Sequence, residues 1–196
     1  MNENHSLCSS TEWARYIGEE IVGRLADRID SGARMLEIGP GPGAATGHLR
    51  AVTAHLTVLE LDPAAARALE ERYAGSDDVD VVVGDATAMD FAEASFDAVG
   101  AFTMLHHVPT VAAQDAILRQ VFRVLRPGGV FVGSDSLPST GLHDFHEADT
   151  YNPIEPGTWL TRLRTTGFTS VMLEVGDELV FAARKASAGA STGAAD

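Results

Sequence analysis

Between Thr11 and Asp30 the apolar side chains Trp13, Ile17, Ile21, Leu25 and Ile29 fall four apart, with Tyr16 and Val22 beside them. That period predicts an amphipathic helix with one apolar stripe. From Arg34 onward the pattern changes to short apolar runs separated by helical stretches. The runs Arg34 to Ile38, Leu56 to Glu60, Val79 to Val83, Phe96 to Phe102 and Val130 to Gly133 read as strands. The first helix between them covers about Ala44 to Ala54. Asp62-Pro63 starts the next, as N-cap and first helical position, and Ala64 to Tyr73 continue it. Gln114 to Leu125 carries Ile117, Leu118, Val121, Phe122 and Leu125 on one side and stops at Arg126-Pro-Gly-Gly129. Pro153 to Thr166 reads as a last helix, started near Pro156 and ended by Gly167. Ser170 to Val175 and Glu178 to Ala183 then flank Gly176-Asp177, a two-residue hairpin connection.

Strands alternating with helices at this spacing call for a parallel sheet covered on both faces, since each right-handed crossover needs its helix. The closing hairpin adds an antiparallel pair. At 196 residues the chain suits one domain with a sizeable core. Residues 1–10 are polar, and 186–196 are almost wholly Ala, Ser, Gly and Thr, so a flexible N-terminus and a disordered tail are expected. The domain then occupies 11–185, with its N-terminal helix over 11–30. The long loop over 134–156 reads as a substrate lid.

Charge narrows the partners. Lys and Arg total 14 against 28 Asp and Glu, for a formal net charge of −14. The average field repels nucleic-acid phosphates and anionic membranes, and a small-molecule substrate fits better. The lone Cys8 builds neither a disulfide framework nor a thiolate metal cluster. With no basic start followed by an apolar core and no run long enough to span a bilayer, a cytoplasmic protein is expected.

The candidate chemistry gathers at strand ends, where an open α/β sheet binds its ligand. Strand one runs into Glu37-Ile-Gly39-Pro-Gly41-Pro-Gly43, a turn in which glycine permits positive φ and close approach, stiffened by Pro40 and Pro42. Alone this turn is ambiguous, because Gly39, Gly41 and Ala44 also satisfy a dinucleotide-binding pattern. Glu60 ends strand two and can accept hydrogen bonds from both hydroxyls of a ribose. Asp85 ends strand three and can accept from an adenine amino group. Together they describe an adenosine site.

With those residues in this order, the chain resembles the class I S-adenosylmethionine-dependent methyltransferases of small-molecule type, over nearly all of Met35 to Lys185. The resemblance implies a Rossmann-like three-layer sandwich with a mostly parallel seven-stranded sheet and a terminal antiparallel hairpin. It also implies S-adenosyl-L-methionine as cofactor. Carried over, Glu37, Gly39, Gly41 and Gly43 would hold its methionine part, Glu60 and Leu61 its ribose side, and Asp85 with the Ala86 N–H its base. Phe102 and Thr103 close the fourth-strand segment beside it. Two other readings stay open: a nicotinamide-dependent oxidoreductase, and a protein that binds the cofactor without catalysis.

The sulfonium makes the methyl group electrophilic, so the protein's task is to position the acceptor and, for a hydroxyl or protonated amine, to remove a proton. O- or N-methylation is the expected reaction. His106 and His107, after strand four, are the candidate bases, set against a packing role near the cofactor. Tyr16, His143, Phe145, His146 and Tyr151 are candidate substrate contacts, with core packing the alternative for Trp13 and Tyr16. His143 and His146 have the spacing of a helical metal pair, but the sequence offers no third ligand and the transfer needs no metal, so no metal ligands are assigned.

Overall fold

The computed structural model describes residues 10–147 and 149–187. Most of the two expected flexible ends (1–9 and 188–196), Cys8 included, lies outside the described residues. The sheet has seven strands: β1 (Arg34–Ile38), β2 (His55–Glu60), β3 (Val79–Val83), β4 (Phe96–Phe102), β5 (Leu125–Ser136), β6 (Phe168–Val175) and β7 (Glu178–Lys185). Their order is β3-β2-β1-β4-β5-β7-β6. The first five are parallel, and β7 runs antiparallel to both β5 and β6. The expected architecture is therefore the observed one.

Successive residues of a strand face opposite ways, and both faces of this sheet are covered. Leu36, Phe131, Phe181 and Ala183 point into one core with Ile117, Leu118 and Val121 of α5 (Val111–Val124) and Trp159 and Leu163 of α7 (Pro156–Thr166). Met35, Val130, Val132, Val180 and Ala182 point into the other. There they meet Leu49 of α3 (Thr46–Val52), Leu69 of α4 (Pro63–Arg72) and the N-terminal helix. Trp159, expected in the core, is fully buried.

That N-terminal helix forms with an irregular middle. α1 (Thr11–Tyr16) passes into a π-helical stretch (Ile17–Val22), then α2 (Gly23–Leu25) and a 3-10 turn (Ala26–Arg28). Its stripe Ile17, Ile21 and Leu25 is buried as the four-residue spacing requires. Local chemistry starts and stops the other helices, at the expected Asp62-Pro63 for α4 but three residues before the expected Gln114 for α5. Asp62 accepts the Ala64 N–H, Thr110 accepts the Ala113 N–H, and Gly167 closes α7 at φ 112°.

Among the boundaries that differ from expectation, two bear on the strand ends. β5 is much longer than Val130 to Gly133: it runs from Leu125, paired with Phe96 of β4, to Ser136, paired with Glu178 of β7. The loop expected over 134–156 therefore begins after Ser136, and it contains the short helix α6 (Thr140–Phe145).

Phe181 sits under the centre of one layer, its ring centre 5.0 Å from that of Phe131 and 5.4 Å from that of Trp159. Phe181→Ala should lower unfolding free energy by about 3 to 5 kcal/mol, read by urea denaturation. A loss below about 1 kcal/mol would mean the layer does not pack on this ring.

Candidate active site

β1 lies between β2 and β4, the place where the strand order reverses. The turn leaving it is bonded strand by strand. Gly39 N–H donates to Leu59 O at 2.9 Å, Gly41 N–H to Glu60 Oε2 at 2.9 Å, and Gly43 N–H to Pro40 O at 2.9 Å. All three glycines have positive φ (60°, 53° and 80°), a region that side chains with a Cβ rarely adopt. Space separates them further. A Cβ on Gly39 would meet Met104 Cε at 2.9 Å and one on Gly43 would meet Leu69 Cδ2 at 2.8 Å, whereas one on Gly41 would meet nothing within 4 Å. Gly41 is the open member of the turn.

Three carboxylates serve this edge in three ways. Glu60 is buried and accepts Gly41 N–H on one oxygen and Asp62 N–H, at 2.9 Å, on the other. Each oxygen keeps a second lone pair for a ligand hydroxyl. Asp85 is exposed and caps the 3-10 turn Ala86–Ala88, accepting Thr87 N–H at 2.7 Å. It rims a slot of about 90 Å³ walled by Leu59, Val82, Met89 and Phe91. Glu37 is fully buried, with Oε2 lacking a hydrogen-bond partner. Burial pushes its carboxyl up to about 7, with Glu60 adding to the rise and the nearby Thr46 hydroxyl opposing it. A larger cavity of about 470 Å³ opens at the other edge of the sheet, among Arg28, Asp97, Arg126 and Arg184. It lies away from these strand ends.

The third group forms where β4 and β5 end. Thr103, the residue after β4, has φ 51° and donates its N–H to Ser134 O at 2.8 Å. A β-branched residue in that region is strained. The 3-10 turn Leu105–His107 follows. Asp135, fully buried at the end of β5, accepts Leu105 N–H at 2.9 Å on one oxygen. On the other it accepts Ser136 N–H at 2.8 Å and the Nδ1–H of buried His106 at 2.6 Å. The carboxylate can only accept, so His106 carries its proton on Nδ1 and its lone pair on Nε2.

From the end of α6, His146 comes into this group. Its ring centre lies 5.0 Å from that of His106 and 5.1 Å from that of His107, and Tyr151 stacks on it at 4.8 Å. Phe145 makes an edge contact with the same imidazole at 5.1 Å. Beneath them, buried Gln114 donates to Leu105 O and Asn152 O, each at 2.9 Å, and Asn152 N–H donates to His106 O at 2.7 Å.

The candidates divide accordingly. His106, His107, Phe145, His146 and Tyr151 gather at one place, while His143 is exposed on α6 with its side chain turned to solvent. Tyr16 donates its hydroxyl at 2.7 Å to Glu178, which pairs with Ser136 at the end of β5, and this bond together with burial pushes the Tyr16 pKa up to about 12. Asp135, Gln114 and Asn152 escaped the sequence reading. An acid closing an apolar strand was the only signal for Asp135.

The family profile described as "Methyltransferase domain" matches residues 36–133. A 24-methylenesterol C-methyltransferase 2 of Oryza sativa subsp. japonica is 34% identical over 171 residues, covering 80% of this chain and 45% of its own length. A fatty-acid O-methyltransferase of Mycolicibacterium smegmatis is 31% identical over 76% of this chain and 54% of its own. Similar proteins thus include both carbon and oxygen methyltransferases. The chain spans about half the length of these curated relatives. A crystal structure of a SAM-dependent methyltransferase from Methanosarcina mazei superposes with a TM-score of 0.71 at 16% identity, covering 84% of this chain and 98% of that one.

The raised Glu37 pKa has a stability consequence. Between its ordinary value of 4.5 and about 7, the folded chain keeps a proton on Glu37 that the unfolded chain releases. The stability this contributes is full below about 4.5 and is lost as pH rises through about 7. Glu37→Gln should therefore match the parent near the acidic end of that window and exceed it in unfolding free energy by about 3 kcal/mol above it. Urea titrations across the window measure this, and a pH-independent difference would mean that Glu37 ionises as an ordinary carboxylate.

Proposed function

The chain belongs to the class I S-adenosylmethionine-dependent methyltransferases, and from that premise we propose that it methylates an oxygen or nitrogen of a small-molecule acceptor, with His106 taking the acceptor's proton. The observation that carries the proton step is the buried Asp135 carboxylate, which holds His106 in the tautomer whose Nε2 can accept. Family membership supports methyl transfer over the nicotinamide reading. The net charge of −14 supports a small acceptor over a nucleic acid.

The residues present fit the cofactor. The open side of Gly41 admits a ligand against the turn, and Glu60 retains acceptor capacity for a ribose. Asp85 has one oxygen beyond its cap bond to turn toward an adenine in the adjoining slot. Glu37 Oε2 and Ser134 Oγ, at the ends of β1 and β5, are buried without partners on the same edge. An ammonium group brought near Glu37 and Glu60 would offset the repulsion between these two acids. Bound there, S-adenosylmethionine supplies an electrophilic methyl carbon. The chain contributes position and proton transfer.

Holding the acceptor in line at contact distance is worth roughly 7 to 11 kcal/mol when water is excluded. With the cofactor held there, the acceptor oxygen or nitrogen would take the methyl group as the sulfur leaves with the electron pair of its S–C bond, and the acceptor's proton would pass to His106 Nε2. Asp135 stabilises the resulting imidazolium through the bond it already makes. His107, His146 and Tyr151 surround that transfer and shield it from solvent.

Two substitutions separate cofactor binding from proton transfer. Asp85→Ala should weaken binding of S-adenosylhomocysteine by about 1 to 3 kcal/mol in titration calorimetry. Unchanged affinity would remove Asp85 from the base contact, and tighter binding of NAD than of either sulfur compound would overturn the methyltransferase reading. Asp135→Asn should lower kcat by about 100-fold or more in a radiolabelled methyl-transfer assay over phenols, amines and hydroxy acids. S-adenosylhomocysteine affinity should change by less than about threefold in that variant. Full turnover by the Asp135→Asn variant would defeat His106 as base.

A further inference from the structure

His106, His107 and His146 come from two separate segments, yet each offers a ring nitrogen and these atoms all lie within 4.8 Å of one another. We propose that this cluster binds a divalent transition-metal ion of the zinc type through three imidazoles. The inference stands on the cluster alone and does not depend on the methyl-transfer reading.

Ring geometry is the first support. Imidazoles around a tetrahedral zinc, with Zn–N near 2.0 to 2.1 Å, have ring centres about 5 Å apart. The three pairs here are at 4.1 Å, 5.0 Å and 5.1 Å. Bound nitrogens stand about 3.4 Å from one another around such an ion, so nitrogens up to 4.8 Å apart must draw together while the His106 and His107 ring centres separate from 4.1 Å, a change of about 1 Å in each case.

Tautomers are the second support. A metal takes a neutral imidazole nitrogen, and in known sites the other nitrogen donates its N–H to a carboxylate or a backbone carbonyl. His106 Nδ1 donates to the Asp135 carboxylate at 2.6 Å, and His146 Nδ1 donates to Leu142 O at 2.7 Å. Both residues are buried. Each therefore carries its lone pair on Nε2, with an acceptor behind the ring of the kind that fixes a ligand's orientation.

The donor set defines the ion. Three imidazoles without a carboxylate in the inner set favour Zn²⁺, Co²⁺, Ni²⁺ or Cu²⁺ over Mg²⁺ and Ca²⁺, which prefer oxygen. The lone pair that His106 would offer the metal is the one that would take the acceptor's proton. A filled cluster and a His106 base are thus alternative states of one site.

Cobalt reports the outcome directly, because a tetrahedral Co²⁺ site has intense visible d–d bands. Titrating Co²⁺ into the full chain, without an affinity tag, should give such bands at one equivalent, removed by Zn²⁺ and unmoved by excess Mg²⁺. His107→Ala and His146→Ala should each weaken binding by more than about tenfold, while His143→Ala, on exposed α6 outside the cluster, should leave it unchanged. Thermal unfolding of each variant confirms that it is folded. Absence of the tetrahedral bands, or binding indifferent to His107 and His146, overturns the proposal. S-adenosylhomocysteine titration alongside keeps the two readings apart: its loss with cobalt binding intact would count against methyl transfer and not against the metal site.

Discussion

β1 is hydrogen-bonded in parallel to β2 on one side and to β4 on the other, so the connections from the two halves of the sheet part at its carboxyl end and leave a crevice there. The groups gathered there are distant in sequence and adjacent in register. Glu60 reaches back to Gly41 and Asp135 reaches across to His106 because parallel pairing sets all these strand ends at one level. The helices on the two faces hold the sheet against this arrangement through two separate cores.

Within that crevice, equal burial has unequal consequences for acids. Glu60 and Asp135 are lined with N–H donors, so their charge is solvated by the fold itself. Glu37 lacks a partner at Oε2, and its carboxyl rises to about 7. The first two acids rigidify what they bond. The third keeps its proton up to about pH 7, because burial at the edge of the turn disfavours its charge.

Much of this was legible in the sequence because the controlling signals were local. Apolar runs bounded by Gly, Pro and Asp gave β1, β3 and β4 to the residue, and the Asp62-Pro63 cap gave the start of α4. β5 was read short because Ser134, Asp135 and Ser136 look like a turn. Pairing with β7, about 45 residues later, is what keeps them extended. Spacing grouped His143 with His146, since residues three apart share a helix face. In the fold His143 is exposed, with its ring centre 6.2 Å from that of Tyr151, while His146 turns toward His106, 40 residues upstream. Gln114 and Asn152 were invisible, and Asp135 nearly so, for the same reason: their partners are set by topology, not by neighbours in the chain.

Residues 137–151 depart from Asp135 and return at Asn152, and both ends of that excursion are bonded to the single short turn that carries His106. A strap fastened at both roots keeps its two ends at the level of that one turn, with α6 standing between them.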